Sequence, residues 1–178
     1  MAAVFITGVA ATADQSEEGV PVSPLKIYSG GIGCGAVHSI NEELKQTSTN
    51  FLRLSVVNTF SIRDHLALFL DVDWMLPGSN FGADFGLDAV FSRSDFRPFA
   101  GIGAGGRYID RNHDFGNNFG PSITVHAGCT MDLADNVALR VRLPYHLIVS
   151  DSYDHMAGLE CAFLFSSRFK KVGKLNYY

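Results

Sequence analysis

The sequence predicts an all-β protein, an antiparallel up-and-down β-barrel of eight strands. Three observations lead there. A side-chain period of two runs through most of the 178 residues. The periodic segments are about eleven residues long, against ~5–6 for strands of soluble proteins and ~9–11 for strands that cross a membrane. No apolar run reaches the ~18 residues of a membrane-spanning helix, which excludes a helical membrane protein and leaves one built from strands.

Composition narrows the classes further. Charged residues make up 18% of the chain, below the roughly 25% of a soluble domain. The net charge of −4 lacks the basic patch of a nucleic-acid binder. Fourteen Phe and a mean hydropathy of +0.11 exclude disorder.

Residues 2–13 (AAVFITGVAATA) carry no charge, and Ala11-Thr12-Ala13 is a small-x-small pattern before the polar stretch Asp14 to Gly19. They read either as a truncated secretory signal whose basic start is missing, or as an ordinary apolar strand. On the signal reading, 1–13 is a targeting segment and 14–24 a short periplasmic leader. The barrel then spans 25–169, and 170–178 is a basic tail.

The first strand, 26–38, is glycine-rich, with Tyr28, Ile32, Cys34 and Ala36 on its apolar face. In 51–62, Leu52, Leu54, Val56, Phe60 and Ile62 alternate with Arg53, Ser55, Thr59 and Ser61. In 66–76, Leu70, Val72 and Trp74 oppose Asp71 and Asp73; in 80–92, Phe81, Phe85 and Phe91 oppose Asp84 and Asp88. The second half continues with 96–108, 122–133, 136–149 and 156–166, where Arg97, Arg107, His126, Asp132, Arg140, Arg142, His146 and Glu160 mark the polar face. Successive strand side chains point to opposite faces, whereas a helix would place Asp71, Asp84 and Asp88 within any apolar stripe. The connections 63–65, 92–95 and 134–135 are short; 39–50, 109–121 and 150–155 are longer and polar, and 77–79 is brief. No helix is needed anywhere. An even strand count with short turns at one end and long loops at the other describes a transmembrane barrel.

Which face lies inside decides the function. The polar face carries Arg53, Arg97, Arg107, Arg140 and Arg142 against Asp71, Asp73, Asp84, Asp88, Asp132 and Glu160, with no lysine among them. A solvated face favours lysine; a narrow lumen favours arginine, whose planar fork pairs bidentately with carboxylates. Gly82, Gly86, Gly101, Gly103 and Gly105 share that face and leave room for long side chains. Phe51, Phe60, Trp74, Phe91, Phe96, Tyr108, Tyr145 and Phe165 fall near segment ends, where membrane barrels carry aromatic girdles. The opposite orientation, a soluble lipocalin-like carrier with a dry apolar interior, is the alternative.

The stretch Phe96-Arg97-Pro98-Phe99-Ala100-Gly101-Ile102-Gly103-Ala104-Gly105-Gly106 resembles the x-Pro-Tyr-x-Gly-x-Gly-x-Gly strand of small bacterial outer-membrane β-barrel proteins, of the OmpA-like, porin-like kind. The layout of 25–169 is similar to theirs. The resemblance implies export to the outer membrane, short turns on the periplasmic side and long loops outside. Its implied surroundings are the lipid bilayer and lipopolysaccharide, with a host or surface partner reached through the loops. Two departures stand out. Residues 170–178 follow Phe169, where such barrels commonly end, and cysteines are unusual in them.

Chemistry is mostly absent. Cys34, Cys129 and Cys161 show no metal spacing. They fall on the apolar face as small hydrophobes, although first and last strands adjoin in a closed barrel and would allow a Cys34–Cys161 disulfide. His38-Ser39 with Glu42 and Glu43 is the one nucleophile-like cluster, at a strand–loop junction. The chain lacks the His-x-Ser-Asn pattern of lipid-A-modifying barrels, so a lipid-modifying enzyme is the weaker alternative. His113 with Asp114, and Asp151, Asp154 with His155, read as solvated loop charge rather than a cation site. The glycines of 101–105 precede no helix, so they are not a dinucleotide site. The expectation is a non-enzymatic barrel without cofactor or metal, its lumen filled by arginines and carboxylates and its role structural, adhesive or surface-directed. His113, Phe115 and Phe119 in loop 109–121 are the candidate contact residues.

Overall fold

The computed structural model describes residues 28–63, 65–92, 94–110, 119–149 and 153–167. The signal, leader and tail assignments lie outside the described residues, as do His113 and Phe115. Eight antiparallel strands form one closed barrel: β1 (Tyr28–Ser39), β2 (Asn50–Arg63), β3 (Leu66–Leu76), β4 (Asn80–Val90), β5 (Phe96–Tyr108), β6 (Phe119–Ala134), β7 (Val137–Val149) and β8 (Tyr153–Ser167). Each strand pairs with its chain neighbours, and β1 pairs with β8 to close the ring.

The alternation sets the two faces of the wall. Along β3, Ala67, Phe69, Asp71, Asp73 and Met75 are buried while Leu70, Val72 and Trp74 are exposed. The same holds around the ring: Ile32 is 68% exposed, and Leu54, Phe85, Ile102, Leu143 and Phe163 join it on the outside. Buried Arg53, Asp84, Arg107, Arg142 and Glu160 lie inside. The barrel is inverted relative to a soluble carrier, whose interior would be the Leu, Val and Phe face.

Two differences from the sequence reading concern the loops. A six-residue helix, α1 (Glu42–Thr47), occupies the first connection. Glu42, Glu43, Leu44 and Lys45 are good helix formers, but one turn and a half is too short to show a 3.6 period. Strand β6 starts at Phe119, three residues before the expected start, so Pro121 lies within it. Its pairing with β7 begins only at Ser122, and Pro121 pairs with Gly106 of β5 alone. A second proline marks the wall more strongly. The β7–β8 ladder runs to Arg142 opposite Glu160 and resumes at Tyr145 opposite Ala157. Pro144 lies in that gap, and proline has no N–H to give.

Both ends of the barrel are tied. At the turn end, His65 O accepts from Val90 N at 3.0 Å and Asp95 O from Asp132 N at 2.8 Å. At the loop end, Asn80 is buried, donates to Met75 O and Pro77 O, and accepts from Asp110 N at 2.7 Å. Gly78, beside it, takes a φ of 90°, which only glycine adopts without strain.

Candidate functional site in the barrel lumen

Side chains from six strands meet in one ionic chain across the lumen. Asp73 of β3 accepts from Arg53 of β2 at 2.9 Å and from both terminal nitrogens of Arg107 of β5, at 2.9 and 3.0 Å. Arg107 also grips Asp84 of β4. Arg53 reaches Glu160 of β8 at 3.1 Å, and Glu160 is shared with Arg142 of β7 at 3.0 Å. Arg142 extends the chain by crossing to Asp71 of β3, where it ends. Hydroxyls complete the acceptors: Ser55 Oγ donates to Glu160 at 3.1 Å and Ser122 Oγ to Asp84 at 2.8 Å. His146 is seated between Arg53 (3.2 Å) and Thr124 (2.8 Å).

A second cluster lies toward the turn end. Arg140 pairs with Asp88 at 2.7 Å, and the other Asp88 oxygen meets His126 Nε2, also at 2.7 Å. The Arg140 guanidinium stands 4.0 Å over the Phe99 ring, a cation–π contact. His126 sits edge-on to Phe69 at 4.8 Å between centroids. Arg97 and Asp132 form a separate, partly exposed pair nearer the turns. All eleven charged residues singled out from the sequence thus point inward, nine in the two clusters and two apart.

The glycines make this possible. A Cβ on Gly82 would lie 2.8 Å from Arg107 Nη1, and one on Gly103 would lie 2.5 Å from the Phe69 ring. The Gly-x-Gly-x-Gly run of β5 is therefore a row of seats for lumen side chains. Polar groups buried in such a narrow space carry weight only when paired, and most here are.

Above the ionic layer, at the loop end, lies a buried apolar cluster: Val37, Leu44, Phe51, Met75, Ile109, Ile148 and Met156. Phe51 belongs to this cluster, at 1% exposure, and not to the outer girdle. It shares the phase of Arg53, so its ring turns inward with it. Phe119 is likewise not a loop residue. It opens β6 on the outer wall, with its ring tip 2.7 Å from where a Gly106 Cβ would be. The remaining girdle residues face outward. Phe60, Phe91, Phe96 and Phe165 lie toward the turn end; Trp74, Tyr108 and Tyr145 lie toward the loops, where Tyr108 stacks on Phe81 at 5.1 Å. Phe81 and Phe119 belong to that belt and were missed from sequence.

The other candidates separate. His38 points outward and bonds Asn50 at 3.0 Å, whereas Ser39 is buried and donates to Ser48 O at 2.7 Å. Neighbours on a strand face opposite ways, so the two do not form a nucleophile–base pair. Asp154 is buried on Asn41, while His155 turns outward to the Tyr145 hydroxyl at 2.6 Å. Cys34 and Cys161 are directly opposite across β1 and β8, and both are free thiols on the outer face. Ser55, Ser122, Thr124, His126 and His146 complete the lumen network. Ser55, His126 and His146 already stand on the polar face by their phase along the strands, which Ser122 and Thr124 share.

No protein-family model and no curated protein matches the sequence. Solved structures do. The N-terminal β-barrel domain of Pseudomonas aeruginosa OprF is similar with a TM-score of 0.53 and 18% identity, over 77% of this chain and 97% of that one. Neisserial surface protein A is similar with a TM-score of 0.57 and 14% identity, over 79% and 96%. The fold is that of an eight-stranded outer-membrane β-barrel. It is shared with the outer-membrane enzyme PagL, with a TM-score of 0.51 and 11% identity over 77% and 98% of the two chains. The fold therefore hosts both enzymatic and non-enzymatic proteins, and the site has to decide between them.

Proposed function

We propose that this protein is an integral outer-membrane barrel with a closed lumen, which acts through its loops as a structural or surface-contact protein. The observation that carries the reading is the ionic chain Arg142–Glu160–Arg53–Asp73–Arg107–Asp84, which spans the lumen from wall to wall. An eight-stranded barrel is just wide enough for its interior side chains to fill. The apolar cluster above the ions adds a second obstruction. With the interior filled, the surfaces left for recognition are the lipid face and the loop end. The lipid face fits a bilayer or the acyl part of lipopolysaccharide. The loop end fits a host or cell-surface partner, and His113 and Phe115 are its candidate contacts. The outward His38 and inward Ser39 speak against an enzyme of the lipid-modifying type.

Reconstitution in planar bilayers tests the closed lumen. The expected record has no resolved channel steps, and regular ion-selective steps would overturn it. Extraction from membranes, followed by cold and boiled samples on SDS gels, tests membrane residence. A detergent-dependent protein with a heat-induced mobility shift is expected. A protein that is soluble without detergent and shows no shift would end the reading.

A further inference from the structure

The apolar cluster at the loop end has one member that enters from above. Val37, Phe51, Met75, Ile148 and Met156 line the inside of the wall, and Ile109 sits at its rim. Leu44 comes from α1 and is fully buried among them. On the same helix Glu42 is 86% exposed and pairs only with Lys45 among the described ion pairs. The helix is thus amphipathic in the simplest way, with one leucine down and charge up.

Nothing in the barrel ladder holds α1. Six residues fall well below the ~12–15 at which an isolated helix becomes even marginal in water. The N-cap residue Asn41 makes no side-chain cap bond. Its side chain is spent on β8 instead. Nδ2 donates to Asp154 Oδ1 and Oδ1 accepts from His155 N, each at 3.1 Å. Ile40 N donates to His155 O at 2.8 Å beside it. Leu44 and Asn41 position the start and middle of the connection, Ser39 holds its far end through Ser48 O and Thr49 O, and neither Leu44 nor Asn41 touches the ions beneath.

We propose that residues 40–49 form a latched lid over an apolar cup, with Leu44 as the stopper and Asn41 as the latch. The cup holds an aliphatic side chain of about leucine's size, its own in the closed state. Met75 and Met156, flexible and polarizable, make its walls adaptable to another such group when the lid lifts. The lid opens as a local unit, because the wall beneath it is closed by its own strand pairing.

Thiol accessibility tests this in intact cells. Cys34, Cys129 and Cys161 are first replaced by Ala, and Met156→Cys then reports on the cup. A charged, membrane-impermeant methanethiosulfonate is added outside. Labelling of Met156→Cys is expected to be slow, and roughly tenfold or more faster when Asn41→Ala or Leu44→Ser is added, as for any locally opened site. Leu44→Met should restore protection. A second reporter, Ser55→Cys in the ionic layer, should stay slow throughout. Equal Met156→Cys rates with and without the lid substitutions, whether fast or slow, overturn the proposal. So does acceleration of Ser55→Cys in step with Met156→Cys, because the loop would then be holding the whole barrel. Asn41→Ala leaves every strand residue in place, so the test stands if Leu44→Ser fails to assemble.

Discussion

Arg107 holds Asp73 with both ends of its guanidinium fork, at 2.9 and 3.0 Å, and neither side chain is exposed. The pair spans the lumen from β5 to β3, strands that are not neighbours in the wall. Its value lies in partnership, since removing one member of a buried pair strands the other charge.

Arg107→Ala is accordingly expected to cost about 3–5 kcal/mol of stability. Urea unfolding in lipid vesicles, followed by tryptophan fluorescence and the gel shift, measures it. Arg107→Lys should recover only part of the loss, because a compact ammonium lacks the planar fork that meets both Asp73 oxygens while reaching Asp84. A loss below about 1 kcal/mol for the alanine variant would reduce the network to an incidental contact.

The carboxylates of the main chain are not equivalent. It contains Arg53, Arg107 and Arg142 against Asp71, Asp73, Asp84 and Glu160, one anion in excess. Asp71 Oδ1 is buried without a hydrogen-bond partner, whereas Asp73 accepts three bonds. Asp71→Asn should therefore cost about 1 kcal/mol or less, and Asp73→Asn several times that. The same unfolding curves compare them, and equal losses would contradict the assignment of roles.

Phe119 and Phe115, both loop-contact candidates by sequence, have separate expected effects. Phe119 covers the bare backbone at Gly106, so Phe119→Ala should lower stability by roughly 1 kcal/mol and leave surface binding intact. Phe115→Ala, in the proposed contact loop, should do the reverse in a cell-binding assay. If neither substitution alters binding, that loop is not the contact surface.

Orientation in lipid is tested at Val72, 50% exposed at the middle of β3. Val72→Arg should cost about 2–4 kcal/mol in a bilayer, as a charge at the hydrocarbon midplane does. A water-facing wall would tolerate it with almost no change.

Much of this architecture was readable from the order of residues. The period of two in 66–76 and 80–92 gives both the strands and their inner faces, because a strand has only two sides. Phase carries no information on height or on who meets whom across a closed ring. The Arg142–Asp71 contact depends on strand tilt and stagger, which alternation does not encode. Phe51 is the converse case. Its phase with Arg53 puts it inside, whereas its place at a segment end and the preference of aromatics for membrane interfaces point to the girdle. Helix α1 escaped because its single buried leucine leaves no period to read.

The ionic chain also constrains how the molecule comes into being. Its links join β8 to β2, β2 to β3 and β7 to β3, so no run of strands shorter than β2 to β8 satisfies it. A partly assembled sheet entering lipid would carry Asp71 without Arg142, and Arg53 with Asp73 but without Glu160. Bare charges of that kind are costly in hydrocarbon. Insertion and ring closure are thereby coupled: β7 supplies the counter-charge for Asp71, and β8 the second carboxylate for Arg53.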